Sequence, residues 1–140
     1  MRVSSRADYG VRALFDLAVH FGQGPTQSRE IAARQGVPEA YLHQVLGALN
    51  RAGLVRSTRG PAGGHELARQ PGDISLWDVL QILDGMDRHA HPHPIERVSD
   101  PVHEAWHELQ RRSIEFLSAI TLETLVEQEH ARQPVPNYSI

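Results

Sequence analysis

Cysteine is absent from the 140 residues, lysine is absent, and no run of about 18 apolar residues occurs that could carry the chain through a bilayer. Each absence excludes something. Without cysteine there is no disulfide, no thiol nucleophile and no thiolate metal ligand, a composition that suits the cytoplasm. Without lysine there is no phosphate loop of the Gly-x-x-x-x-Gly-Lys kind, and no Gly-x-Ser-x-Gly nucleophile elbow occurs either. An enzyme is therefore not expected. Residues 1–21 place an apolar stretch behind a basic start, but Asp8, Arg12 and Asp16 interrupt it, so no signal peptide is expected and the location is read as cytoplasmic, with no membrane partner.

What is present is unevenly distributed. The net charge of -3 conceals nine Arg against five acids in residues 1–69 and five Arg against twelve acids in residues 70–140. The first half is thus the half suited to a polyanion, with the acidic half held away from it.

The stretch 26–69 organises the rest. It reads as a short helix, a turn at Gly36, a second helix over 38–52 opened by Pro38, and a glycine-rich hairpin over 55–69. In the second helix Tyr41, Leu42, Val45, Leu46, Leu49 and Ala52 recur at helical spacing and are expected to face inward, against Ile31 and Ala32 of the helix before. The opposite side carries Ala40, His43, Gln44, Gly47 and Arg51. Small residues permit close approach to a surface while His, Gln and Arg supply donors and acceptors, the profile of a recognition helix in a major groove. Gln44 can address adenine through its amide. The hairpin turns at residues 60–64 between two strand-like segments, with Arg56, Arg59 and Arg69 flanking the turn. Arg59 beside Gly60 suits a minor groove, whose negative potential concentrates as it narrows. Ser57 and Thr58 are candidate phosphate contacts.

The flanking segments follow simpler patterns. A first helix is expected over 5–21, with Val11, Leu14, Phe15, Ala18 and Phe21 on one face and Gly22 to Pro25 ending it. After the hairpin, Ser75 and Asp78 form a capping pair for a helix whose apolar face is Leu76, Val79, Leu80 and Leu83, stopped by Gly85. From Val102 a heptad seam runs through Trp106, Leu109, Ser113, Phe116 and Ile120, the spacing one helix presents to another. Glu108 with Arg112, or Arg111 with Glu115, can pair on its outer side. Thr121 is expected to cap a last short helix.

Several of these features together resemble a known family. Tyr41-Leu42, Ala52-Gly53-Leu54-Val55, Arg59-Gly60, Gly63-Gly64 and Leu67-Ala68-Arg69 are similar to the Rrf-type bacterial winged-helix regulators typified by IscR, NsrR and CymR. Tyr9 with Leu14-Phe15-Asp16-Leu17-Ala18, residues 74–83 and Ile120-Thr121-Leu122 extend the resemblance over nearly the whole chain. It implies a mainly α fold with a small β-hairpin wing, divided into a winged helix-turn-helix over 1–85, a sensor-like loop over 86–101, a dimerisation helix and short terminal helix over 102–130, and a disordered tail over 131–140. It also implies double-stranded DNA as partner and a homodimer, most simply a repressor reading an imperfect palindrome.

The iron-sulfur members of the family hold their cluster through three cysteines in that loop, and this chain has none, so a cluster of that type is not expected. By the same resemblance Asp100 falls where the last cysteine would stand, His103 where a ligating histidine stands, and Asp8 where one branch supplies a carboxylate. His43 stands where the cluster-binding members often carry Glu. The loop adds His89, His91 and His93. Imidazoles and carboxylates suit a divalent metal, so Asp8, His89, His91, His93, Asp100 and His103 are one candidate ligand set; a solvated loop is the other reading. Control by a regulatory protein or small effector stays open, as does a winged helix that binds protein instead of DNA.

Overall fold

The computed structural model describes residues 2–85 and 100–133, and among these it has six α-helices and one two-stranded sheet. Helix α1 (Ser5–Val19) starts at Ser4, whose hydroxyl accepts the Ala7 N–H, and buries Ala7, Gly10, Ala13, Leu14, Leu17 and Ala18. Gly10 is there because α4 crosses close by: a β-carbon at that position would collide with Leu83. Helix α2 (Ser28–Gln35) closes on Gly36 in the left-handed conformation, φ 65°, which a side chain resists. Pro38 then serves as N-cap of α3 (Glu39–Arg51), one position ahead of the expected first turn.

Strands β1 (Val55–Thr58) and β2 (Gly64–Leu67) pair antiparallel in the register Val55 to Leu67, Arg56 to Glu66, Ser57 to His65 and Thr58 to Gly64. Thr26 bridges to His65 on the far edge, so the chain entering α2 extends the sheet. That approach requires Gly64, whose hypothetical β-carbon would lie 2.6 Å from the Thr26 carbonyl oxygen. A 3-10 turn at Pro71–Asp73 leads to α4 (Leu76–Asp84), which Ser75 and Asp78 open with a reciprocal capping box. Helix α5 (Pro101–Ala119) begins on Asp100 and α6 (Leu122–Arg132) on Thr121. The Leu76 N–H donates to the Ile120 carbonyl and the Leu122 N–H to the Ile74 carbonyl, tying the α5–α6 turn to the start of α4.

One core joins α1, α2, α3, the sheet, α4 and α6 through Leu14, Leu17, Ile31, Leu42, Val45, Leu46, Leu49, Leu54, Leu67, Ile74, Val79, Leu83 and Leu122. Five expectations are corrected at the edges. Phe21 lies beyond the end of α1 and is 46 % exposed, because the helix stops two residues earlier. Ala52 caps α3 and faces solvent, while Ala48, not anticipated, fills the core in its place. The expected loop ends early, since Pro101 already forms the first turn of α5, and the expected tail begins late, since α6 continues through Arg132. Ile120 falls past α5 and is half-buried, so it closes the seam as a turn residue. His89, His91 and His93 lie outside the described residues.

Candidate nucleic-acid interface

Helix α3 is held to the body on one side only. Leu42, Val45, Leu46, Ala48 and Leu49 are buried, and Tyr41 stands edge-on to Tyr9 of α1 with ring centroids 5.1 Å apart, a contact worth about 0.5–1.5 kcal/mol. Ala40, His43, Gln44 and Arg51 are exposed and Gly47 half-exposed, the arrangement expected from the helical spacing. Gly47 leaves room for Arg51 to fold back along the helix; a β-carbon there would lie 3.4 Å from the Arg51 guanidinium. Gln44 has no hydrogen-bond partner among the described residues, so its amide is available to an outside ligand. His43 sits 3.8 Å from Glu39 one turn earlier.

The hairpin stands beside this face. Arg59 follows β1, is exposed, and makes no ion pair among the described residues; Gly60 next to it turns the chain with φ 105°. Arg56 is less free, since its guanidinium lies 3.4 Å from Glu66 across the sheet. Thr58 is exposed, whereas the Ser57 hydroxyl is engaged inside the wing, 2.7 Å from His65 Nδ1 and accepting from Asn50 Nδ2 at 2.9 Å. Burial and the nearby His43 hold the His65 imidazole below its usual 6.5. Gln27, the residue before α2, reaches the wing tip by donating to the Pro61 carbonyl at 3.4 Å.

A buried carboxylate fixes the two helices that carry this surface. Asp16 in α1 is 2 % exposed and receives both arms of Arg34 from α2 at 2.9 Å, plus Gln35 at 3.3 Å. The guanidinium is correspondingly raised above its usual pKa by that bond. In the sequence Asp16 stood as an interruption of an apolar stretch and as a member of the Leu14 to Ala18 motif, without a role; the signal that could have given it one is an acid on the buried face, one helical turn from Ala13. Asn50 and His65 were also missed: Asn50 lies on the same side of α3 as His43 and Gly47 but was not singled out there, and His65 sits in a strand, where helical spacing carries no signal.

The residues considered for a metal are not assembled among the described residues, where no group of three or more such side chains gathers. Asp8 pairs with Arg12 at 3.0 Å and Asp100 caps α5 by accepting the His103 N–H at 2.7 Å. Helix α5 carries Val102, Trp106, Leu109 and Phe116 at 62, 53, 52 and 67 % exposure, with Ser113 half-buried between them.

A two-strand wing packed against a helix-turn-helix, with an exposed polar helix face and an exposed arginine at the hairpin turn, defines a winged-helix DNA-binding protein. The family model described as Rrf2, iron-dependent transcriptional regulator, matches residues 3–128, and the chain belongs to that family. Among curated relatives, the transcriptional regulator IscR of Photobacterium profundum is 34 % identical over 137 residues, covering 95 % of this chain and 80 % of that one. CymR of Bacillus subtilis is 32 % identical over 136 residues, with 95 % of each chain covered. The solved structure of T. potens IscR superposes with a TM-score of 0.83 at 36 % identity, covering 99 % of this chain and 95 % of that one. These relatives are regulators and not enzymes, and this protein is a transcription regulator. The family's iron dependence meets a donor set that does not fit a thiolate-held cluster, since the chain offers no cysteine sulfur at all. Among the described residues no helix is long and apolar enough to cross a membrane.

Proposed function

We propose that the protein is a cytoplasmic dimeric repressor that reads an imperfect palindrome, each α3 entering the major groove of one half-site and each Arg59 wing the adjoining minor groove. The observation that carries this is the one-sided burial of α3: five side chains face the core while Gln44, His43 and Arg51 stand outward beside the exposed Arg59. Pairing through the α5 stripe supplies the two-fold axis that a palindrome mirrors. With no thiolate sensor available, the signal is a regulatory protein, a small effector or a divalent metal held by imidazole and carboxylate.

Fluorescence anisotropy on duplex DNA from upstream of the protein's own gene, against a scrambled duplex, tests the reading. The expected dissociation constant is about 10⁻⁸ M or tighter at physiological salt, weakening steeply as salt rises. Arg59→Ala and Gln44→Ala each lower the affinity by about 1–3 kcal/mol if each loses a base-edge or groove contact. Equal binding to both duplexes, or a flat salt response, overturns it.

A further inference from the structure

Asn50 at the end of α3, Ser57 in β1 and His65 in β2 form a hydrogen-bonded chain that the groove contacts proposed above do not require. Asn50 Nδ2–H donates to Ser57 Oγ, and Ser57 and His65 are cross-strand partners whose side chains meet at 2.7 Å. The His65 backbone is pinned in turn by Thr26: its N–H donates to the Thr26 carbonyl at 2.7 Å and its carbonyl accepts the Thr26 N–H at 2.8 Å. Helix, wing and the strand-like entry to α2 therefore converge on one imidazole. Asn50 and Ser57 are exposed, and His65 is half-buried behind them.

A hydroxyl and a ring nitrogen at 2.7 Å share one proton. When Nδ1 is bare, the Ser57 O–H donates to it and the only hydroxyl proton points inward. In the neutral ring protonated at Nε2, Nδ1 is this acceptor. Uptake of one proton gives the imidazolium, whose Nδ1–H donates instead, so that Oγ accepts from both Asn50 and His65 and the hydroxyl proton turns to the solvent side. A neutral Nδ1–H tautomer would free the hydroxyl with no proton taken up, and an affinity that does not change with pH would overturn the gate in its favour. Phosphate oxygens accept and do not donate, so Ser57 can bond a phosphate only when its proton is released from Nδ1.

We propose that Asn50, Ser57 and His65 make a proton-gated phosphate contact, in which uptake of one proton by His65 frees the Ser57 hydroxyl to donate to the DNA backbone. The proposal rests on the reading of this face as the DNA surface. The step takes one proton from solvent and rearranges hydrogen bonds, with no covalent bond formed or broken. His43 of α3 acts on the ring through its charge, and the clefts that His65 helps to line also carry Glu39 of α3, Arg29 of α2, His20 at the C-cap of α1, and Arg56 and Glu66 of the hairpin. Burial and the His43 charge oppose the proton in the free protein. A phosphate at Ser57 favours it, so proton uptake and DNA binding are linked.

The test is the specific-duplex affinity of the full chain at about pH 6 and about pH 8, the range in which histidines titrate. Because His43 is a second imidazole on the reading face itself, the series is built on His43→Gln. In that background the affinity is expected to rise about fivefold on acidification, a coupling within the usual range. Ser57→Ala and His65→Gln should each abolish that rise, and thermal melts establish that both variants fold. Separately, the nuclear magnetic resonance titration of the His65 ring should move to higher pH on adding duplex, and less so in Ser57→Ala. Retention of the full rise in either variant, or an equal DNA-induced shift without the hydroxyl, overturns the gate while leaving the DNA reading intact. Absence of binding to any duplex at either pH overturns the DNA reading and the gate with it.

Discussion

Helices α3 and α5 are both amphipathic, yet α3 buries five side chains within its own subunit and α5 buries none. The difference separates two uses of one pattern. In α3 the apolar side is consumed by the core, and what is left over is polar, close to an arginine-bearing wing, and suited to a ligand read by hydrogen bonds. In α5 the apolar stripe itself is left over. Val102, Trp106, Leu109 and Phe116 stay in water in the single chain, and each large side chain removed from water by a partner is worth roughly 1.5–3 kcal/mol. A stripe at heptad spacing is self-complementary about a two-fold axis, so a second copy of the chain is the simplest cover.

The largest expected effect breaks that use of α5. Trp106→Glu with Phe116→Glu should convert a dimer to a monomer in analytical ultracentrifugation while the helical circular dichroism of the subunit persists, because both side chains are already exposed. Affinity for a palindromic duplex should fall by about 10²-fold or more, since two linked half-site contacts become one, while affinity for a single half-site should hardly change. A double variant that still sediments as a dimer removes the stripe from the interface.

The contrast also shows which physical signals a sequence carries. Period reports which side of a helix is apolar, and this made the exposed polar side of α3, the capping box at Ser75, the apolar stripe on α5 and the ion pairs outside it legible from residue spacing. Glycine and arginine around the turn announced the wing. Period alone does not report what the apolar side touches; the heptad spacing and the family resemblance set the α5 stripe apart from the inward side of α3, and packing leaves that stripe exposed. Long-range polar pairs are equally silent. Nothing near Asp16 in the chain points to Arg34, eighteen residues away, and Asn50, Ser57 and His65 meet only because the strand register sets Ser57 opposite His65. Element ends moved for local reasons, as at Ala52, where the helix cap turned an apolar residue outward.

The next prediction sharpens the comparison on the α3 side, by asking what holds the reading surface still. Arg34 is 41 % exposed, and an ordinary surface Arg→Ala change costs within about 0.5 kcal/mol. Here it strands the buried Asp16 carboxylate with only Gln35 left as donor, so Arg34→Ala should cost about 3 kcal/mol in urea unfolding. Asp16→Ala with Arg34→Ala should recover part of that loss, because no charge is then left buried. A cost for Arg34→Ala no larger than for exposed Arg51→Ala would show that Asp16 finds solvent without it.

The smallest effect lies on the outer side of α5, where Glu108 accepts from Arg111 and Arg112 at 2.6 Å each while Arg111 also donates to Glu115 at 2.8 Å. The Arg111 and Arg112 bonds hold the Glu108 carboxyl down to about 2. A carboxyl lowered on folding stabilises the protein above its unfolded value near 4.5, and that contribution is lost as pH falls toward about 2. Between pH 5 and 8, then, Glu108 should contribute a constant increment, and the pH dependence of the melting temperature in that range should be unchanged in Glu108→Gln. Because all these side chains stand in water, salt should erase most of the difference between wild type and variant. The wild type should lose its small advantage over the variant only in acid, below about pH 4.5, and only at low ionic strength. An advantage that survives high salt would mean that a second subunit covers this side of α5 as well, and the distinction between its apolar stripe and its solvated flank would have to be redrawn.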